Sequence, residues 1–172
     1  MPNRGPWIER QFNFDFPITR SSELIELLRS TPGRVAEVGK LLSPAVLVRR
    51  HDDTWSIQEN VGHLGDLEEI WAGRLSDYKS AAAELRPADT SNRVTHLADH
   101  NSRSIDDLTR DFESKRKALV KRLEALKPQD FERTAYHRRL DVQMRLVDML
   151  YFIAEHDDHH LDRMRWLVEQ AG

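Results

Sequence analysis

From Asp141 or Val142 to about Glu169, apolar residues return at helical spacing: Leu146, Leu150, Ile153, Leu161, Met164, Leu167 and Val168. Projected at about 100° per residue from Leu146, they lie within roughly 60° of one line. That is the buried stripe of one long amphipathic helix, which hides its apolar face only against partners of similar length. The chain supplies three. Ser21–Leu42 is helical by period and is interrupted at Thr31-Pro32, because proline removes a backbone donor and crowds the preceding turn. It forms either one kinked helix or two, with Thr31 capping the second. A second helix opens at Ser56, where Glu59 completes capping-box spacing, and carries Ile57, Val61, Leu64, Leu67, Trp71 and Leu75 inward. A third runs from about Ser104 to Leu126. No segment alternates at strand period. The spacing predicts an all-α four-helix bundle over residues 21–172, with long crossover links, one of them (81–101) helical in part at its start. Residues 1–20 form an irregular arm whose Trp7, Phe12, Phe14 and Phe16 pack on the body.

The rest of the composition narrows the function. At 172 residues the chain makes one domain with a real core. A net charge of −3 gives no electrostatic case for nucleic acid or an acidic membrane. No apolar run reaches the ~20 residues of a membrane span, and residues 1–16 lack the apolar core of a signal peptide, so a cytoplasmic location is expected. With no cysteine, disulfides, thiolate metal sites and a cysteine nucleophile are excluded.

Three of the eight histidines fall within "HDDHH", residues 156–160. On the helical projection His160 lies inside the stripe at about −40° and His156 on its shoulder at about −80°. His159, near −140°, and Glu155, near 180°, are expected in solvent. Residues i and i+4 sit one turn apart, so His156 and His160 could share a divalent ion. The frame resembles an HExxH zinc helix with Asp157 as base. Only twelve residues follow His160, however, and Glu169 projects away, which weakens a downstream third ligand. Upstream, His63 sits on the edge of the second helix, at about −120° from Ile57, and is the best third partner. Three neutral nitrogens with open positions suit a catalytic site. Glu68 and Asp157 both project to the centres of their stripes. Each is read first as a core polar pair, and more sharply as a base or as a hydrogen-bond partner of a ligand histidine. Arg74 either binds an anionic substrate group or neutralises a carboxylate such as Glu68; the second is favoured.

"WSIQENVGHLGDLEEIWAGRL" and "LVDMLYFIAEHDDHHLDRM" together resemble the DinB-like superfamily, over about Ser21 to Val168. The resemblance implies a four-helix bundle and a divalent metal, commonly zinc or nickel, on three histidines at the positions of His63, His156 and His160. It also implies a small-molecule substrate and frequent homodimers. Characterised relatives include transferases and isomerases that use low-molecular-weight thiols, and others have been described as metal-dependent hydrolases. The expectation is a thiol-dependent S-transferase, with a hydrolase or a non-catalytic stress-response binding module as alternatives.

Overall fold

The computed structural model describes residues 6–171. Six helices and a hairpin follow the arm: α1 (Ser21–Gly39), α2 (Pro44–Leu47), α3 (Ile57–Lys79), α4 (Arg93–Leu97), α5 (Ile105–Glu124), β1 (Thr134–His137), β2 (Val142–Arg145) and α6 (Leu146–Ala171). The four long helices make the bundle. α1 packs on α5 and α6, and so does α3, which sets α1 and α3 across one diagonal and α5 and α6 across the other. Among the described residues no helix is long and apolar enough to cross a membrane.

Local chemistry accounts for the ends. Ser56 Oγ accepts from the Glu59 N–H at 3.2 Å, and Glu59 Oε2 accepts from the Ser56 N–H at 2.8 Å, closing the capping box of α3. Ser104 caps α5 in the same manner, accepting from Asp107. Thr31 caps nothing: its hydroxyl bonds back to the Leu27 carbonyl at 3.0 Å, and α1 runs through Pro32 as one helix. Pro32 has no N–H for the carbonyl of Leu28 one turn earlier. That carbonyl accepts instead from Arg116 Nη1 of α5, at 3.1 Å.

The core is in two halves. One gathers Leu24, Leu28, Trp71, Leu75, Leu119, Leu150 and Ile153. The other gathers Val35, Ile57, Val61, Leu64, Leu108, Phe112, Leu161 and Met164. In each of α3, α5 and α6 the residue between the halves is charged: Glu68, Arg116 and Asp157, all 2% exposed or less. Arg116 uses all five of its donors there. Nε and Nη2 reach Glu68 Oε1 at 2.9 and 2.7 Å, Nη1 and Nη2 reach Asp157 at 2.5 and 3.1 Å, and Nη1 also holds Leu28. One guanidinium thus joins all four helices. It serves two carboxylates, so one negative charge is left over. Burial pushes the Glu68 carboxyl above its ordinary range against the pull of Arg116, and Glu68 Oε2 has no partner.

Three sequence expectations are corrected. Residues 134–145 form an antiparallel hairpin, with Thr134 opposite Arg145 and His137 opposite Val142. Four-residue strands are too short to show a period. The last helix accordingly starts at Leu146, because Val142–Arg145 pairs with β1. The link after α3 is not helical at its start: Leu85 N–H donates to Tyr136 and Tyr136 N–H to Ala83, extending the hairpin edge, and the helical turn comes late, at α4. The arm carries 3₁₀ turns at Trp7–Glu9 and Ile18–Arg20. Trp7 meets Phe152 at 5.1 Å and Phe16 meets Tyr151 at 5.3 Å between ring centroids. The arm's first five residues lie outside the described part.

Candidate metal centre

His63 from α3 and His156 and His160 from α6 meet across the seam between the two helices. One ligand nitrogen from each lies within 4.8 Å of the other two, and all three side chains are buried. Ring centroids are 4.7 Å apart for His63 and His160, 5.3 Å for His63 and His156, and 4.5 Å for His156 and His160.

Neighbouring groups fix two of the three tautomers. Asn60 Nδ2 donates to the carbonyls of Trp55 and Ser56, so its Oδ1 faces His160 Nδ1 at 2.7 Å and must accept. His160 therefore carries its proton on Nδ1 and offers the Nε2 lone pair. Thr95 donates its hydroxyl to Asp66 Oδ2 at 2.8 Å, so toward His63 Nδ1, at 3.0 Å, it is the acceptor. His63 is thereby fixed in the same tautomer. His100 Nε2 holds the same Asp66 oxygen at 2.9 Å and steadies the chain of bonds. His156 is the unsettled member. Its Nε2 faces His160 Nε2 at 3.2 Å, and its Nδ1 is buried with no hydrogen-bond partner. Two lone pairs at that distance repel unless a proton or a cation lies between them.

Burial pushes the His63 pKa down to about 4, and drives His156 and His160 well below the ordinary imidazole value, with the neighbouring histidines adding to the effect. All three are neutral at pH 7, the form that binds a metal. Neutral nitrogens, outward protons held by oxygen acceptors and one unsatisfied ring together fit a divalent ion.

The three histidines line a cavity of about 590 Å³. Trp55 lies 4.7 Å from His63 and stacks over His160 at 6.1 Å, Trp71 stands 6.0 Å from His156, and Trp7 of the arm closes on His156 at 5.0 Å. His159 is corrected from solvent to interior: it is 7% exposed, 5.2 Å from His160 and 5.8 Å from Trp7. Glu155 is half-buried and accepts from Arg10 Nη2 at 2.7 Å. In both cases the arm covers a face that a projection of α6 alone leaves open.

The other sequence candidates lie elsewhere. Glu68 and Asp157 bind Arg116 in the charged layer of the core, which gives them the helix-joining role. Arg74 does not neutralise Glu68. It is 3% exposed, donates Nε to the Arg86 carbonyl at 3.1 Å, lies 5.4 Å from the Trp71 ring and lines the cavity. Sequence reasoning passed over Asn60, Thr95, Asp66 and Arg116. Asn60 had a signal, one turn before His63 on the same edge. Arg116 had one too, at helical spacing between Phe112 and Leu119. Thr95 had none, since its place depends on how the link folds.

The sequence profile of the DinB superfamily matches residues 27–164. No curated protein matches the chain. Among solved structures, YfiT from Bacillus subtilis, described as a probable metal-dependent hydrolase with an unusual four-helix bundle topology, superposes with a TM-score of 0.83. It is 19% identical, over 95% of this chain and 94% of that one. The mycothiol-dependent maleylpyruvate isomerase superposes with a TM-score of 0.66 at 11% identity, over 86% of this chain and 60% of the isomerase. At these identities the likeness is one of fold.

Proposed function

The chain belongs to the DinB superfamily, and from that premise we propose that it is a metal-dependent enzyme, a thiol-dependent S-transferase. His63, His156 and His160 hold one divalent ion, zinc or nickel. The observation that carries this reading is the pair of outward hydrogen bonds, from His160 to Asn60 and from His63 to Thr95, which leave both rings with a lone pair facing a cavity large enough for a small molecule.

A divalent ion held there supplies Lewis acidity, which makes a bound thiol or water more acidic near neutral pH. The chain's own residues do the rest. Asn60 and the Thr95–Asp66 pair keep protons on the outer nitrogens and set the ring planes. Trp7, Trp55 and Trp71 exclude bulk water from the histidine end. The protein has no cysteine, so the reacting thiol comes with the substrate. The fold likeness to the mycothiol-dependent isomerase supports a low-molecular-weight thiol. The closer likeness to YfiT supports the second reading, a hydrolase in which water takes the place of the thiol.

The test is metal content by elemental mass spectrometry, on protein purified without a metal-binding tag, alongside His63→Ala and His160→Ala. About one equivalent in the parent, lost in both variants, is expected. A parent that stays metal-free after reconstitution with zinc and with nickel refutes the reading.

A further inference from the structure

One aromatic ring away from the histidines, the same cavity holds a second group of polar side chains that the centre does not use. Trp71 is 6.0 Å from His156, and the Arg74 guanidinium is 5.4 Å from the same indole ring. Phe152, one turn before His156 on α6, is approached by the Arg139 guanidinium at 5.4 Å and by the His137 ring at 5.5 Å. Arg74, Arg139 and His137 all line the cavity.

Among the described residues none of the three pairs with a carboxylate. Glu68 is engaged by Arg116, Glu84 by Arg138, Asp77 by the backbone and guanidinium of Arg86, and Asp89, on the cavity lining, by Ser91 and the Arg93 N–H; Asp53, also on the lining, forms no ion pair with any of the three. Arg139 bonds the Ile8 carbonyl through Nη1, but its Nη2 is buried with no partner. His137 is 3% exposed. Its Nδ1 accepts from the Leu140 N–H, so the proton sits on Nε2, and Nε2 is also buried and unpartnered. Burial pushes Arg74 down to about 10 and His137 down to about 4, and Arg74 and Arg139 both press on His137, as neighbours of like charge do. A buried guanidinium, a half-buried one whose Nη2 is buried without a partner, and a spare N–H, with no acceptor among the three, make a costly arrangement unless an anion completes it.

We propose that Arg74, Arg139 and His137 form a carboxylate-binding subsite, and that the substrate is an organic acid whose apolar body lies along Trp71 and Phe152 while its other end reaches the histidine ring. The inference rests on the reading of this cavity as the substrate pocket, and it names the class of substrate. A carboxylate's two oxygens accept about four hydrogen bonds, a number that two planar forks and one N–H can meet. A phosphate brings a third oxygen and a further charge to a wall that is otherwise aromatic.

The test is calorimetric binding of phenylacetate, 3-phenylpropionate and 4-phenylbutyrate, each beside its own amide, to metal-loaded and chelator-stripped protein. At least one acid is expected to bind about tenfold or more tightly than its amide in both forms, since the amide cannot supply charge-assisted bonds. Arg139→Gln and His137→Gln should each reduce that preference about tenfold and leave metal content unchanged. Arg139 is half-buried and carries the test even if the His137 variant folds poorly. Equal binding of acid and amide, binding of none of the six, a preference that survives in both variants, or equally tight displacement by inorganic phosphate would each overturn the proposal. Failure of the metal reading leaves the acid preference of stripped protein intact. Failure of the subsite leaves the metal loss in His63→Ala intact.

Discussion

Replacing Arg116 by methionine removes the one cation of the buried layer and leaves Glu68 and Asp157 facing each other, 2% and 1% exposed. The side-chain volume is nearly kept, so the loss is electrostatic. Breaking a buried pair by removing one partner costs about 3–5 kcal/mol. Here a single guanidinium satisfies two carboxylates and the Leu28 carbonyl freed by Pro32, which places the effect toward the upper end. For a domain of this size about 1 kcal/mol moves the midpoint by ~2–4 °C, so Arg116→Met should melt roughly 10 °C or more below the parent in scanning calorimetry. The deficit should also depend on pH. The folded state already holds the Glu68 carboxyl above its ordinary range, and without Arg116 it is held higher still. A group raised on folding contributes least above its folded pKa, so the deficit is widest at neutral pH and narrows as acid protonates Glu68. The triple variant Arg116→Met/Glu68→Leu/Asp157→Leu should recover most of the loss, since apolar residues can replace a buried ionic group at little cost. A loss in the single variant under about 1 kcal/mol, or one that is flat between pH 7 and 4, would refute the account of the layer.

Two further outcomes follow from the site. Asn60→Ala removes the acceptor that orients His160 and should weaken metal binding about 10–100-fold in competition with a chelating dye; unchanged affinity would mean that the ring needs no such support. Metal-free protein should lose stability as the pH falls from about 6.5 toward 4, because His63, His137, His156 and His160 are all depressed in the folded state and the unfolded chain binds their protons first. Glu68 works in the opposite sense, one group against four, and a melting temperature unchanged from pH 7 to 5 would contradict the burial of these rings.

The long helices were legible because each buries a stripe wide enough to show in the spacing. The edges that bring His63 to His156 and His160 were legible for the same reason. What failed depended on residues distant in sequence. His159 projects outward from α6 and is buried where Trp7 of the arm packs against it. Glu68 and Asp157 project to the centres of their stripes, but the cation that meets Glu68 is not Arg74: it is a third stripe-centred charge, Arg116, which holds both carboxylates. The hairpin left no period, and it sets two of the three donors of the proposed subsite, His137 and Arg139. The support of His63 by Thr95 depends on the fold of a link between two helices, which no pattern within that link announces.

The walls of the cavity come from opposite ends of the chain. Asn60 and His160 are 100 residues apart, and Arg10 meets Glu155 at a separation of 145. Synthesis at about 5–20 residues per second means that α3, with Trp55, Asn60 and His63 in place, waits roughly 5–20 s for the helix that completes its ring. Through that interval its apolar edge has no α6 to cover it. The scaffold of α1, α3 and α5 can gather early, but the pocket exists only once α6 has been made. The arm, translated before the bundle, is then among the last segments to find its seat.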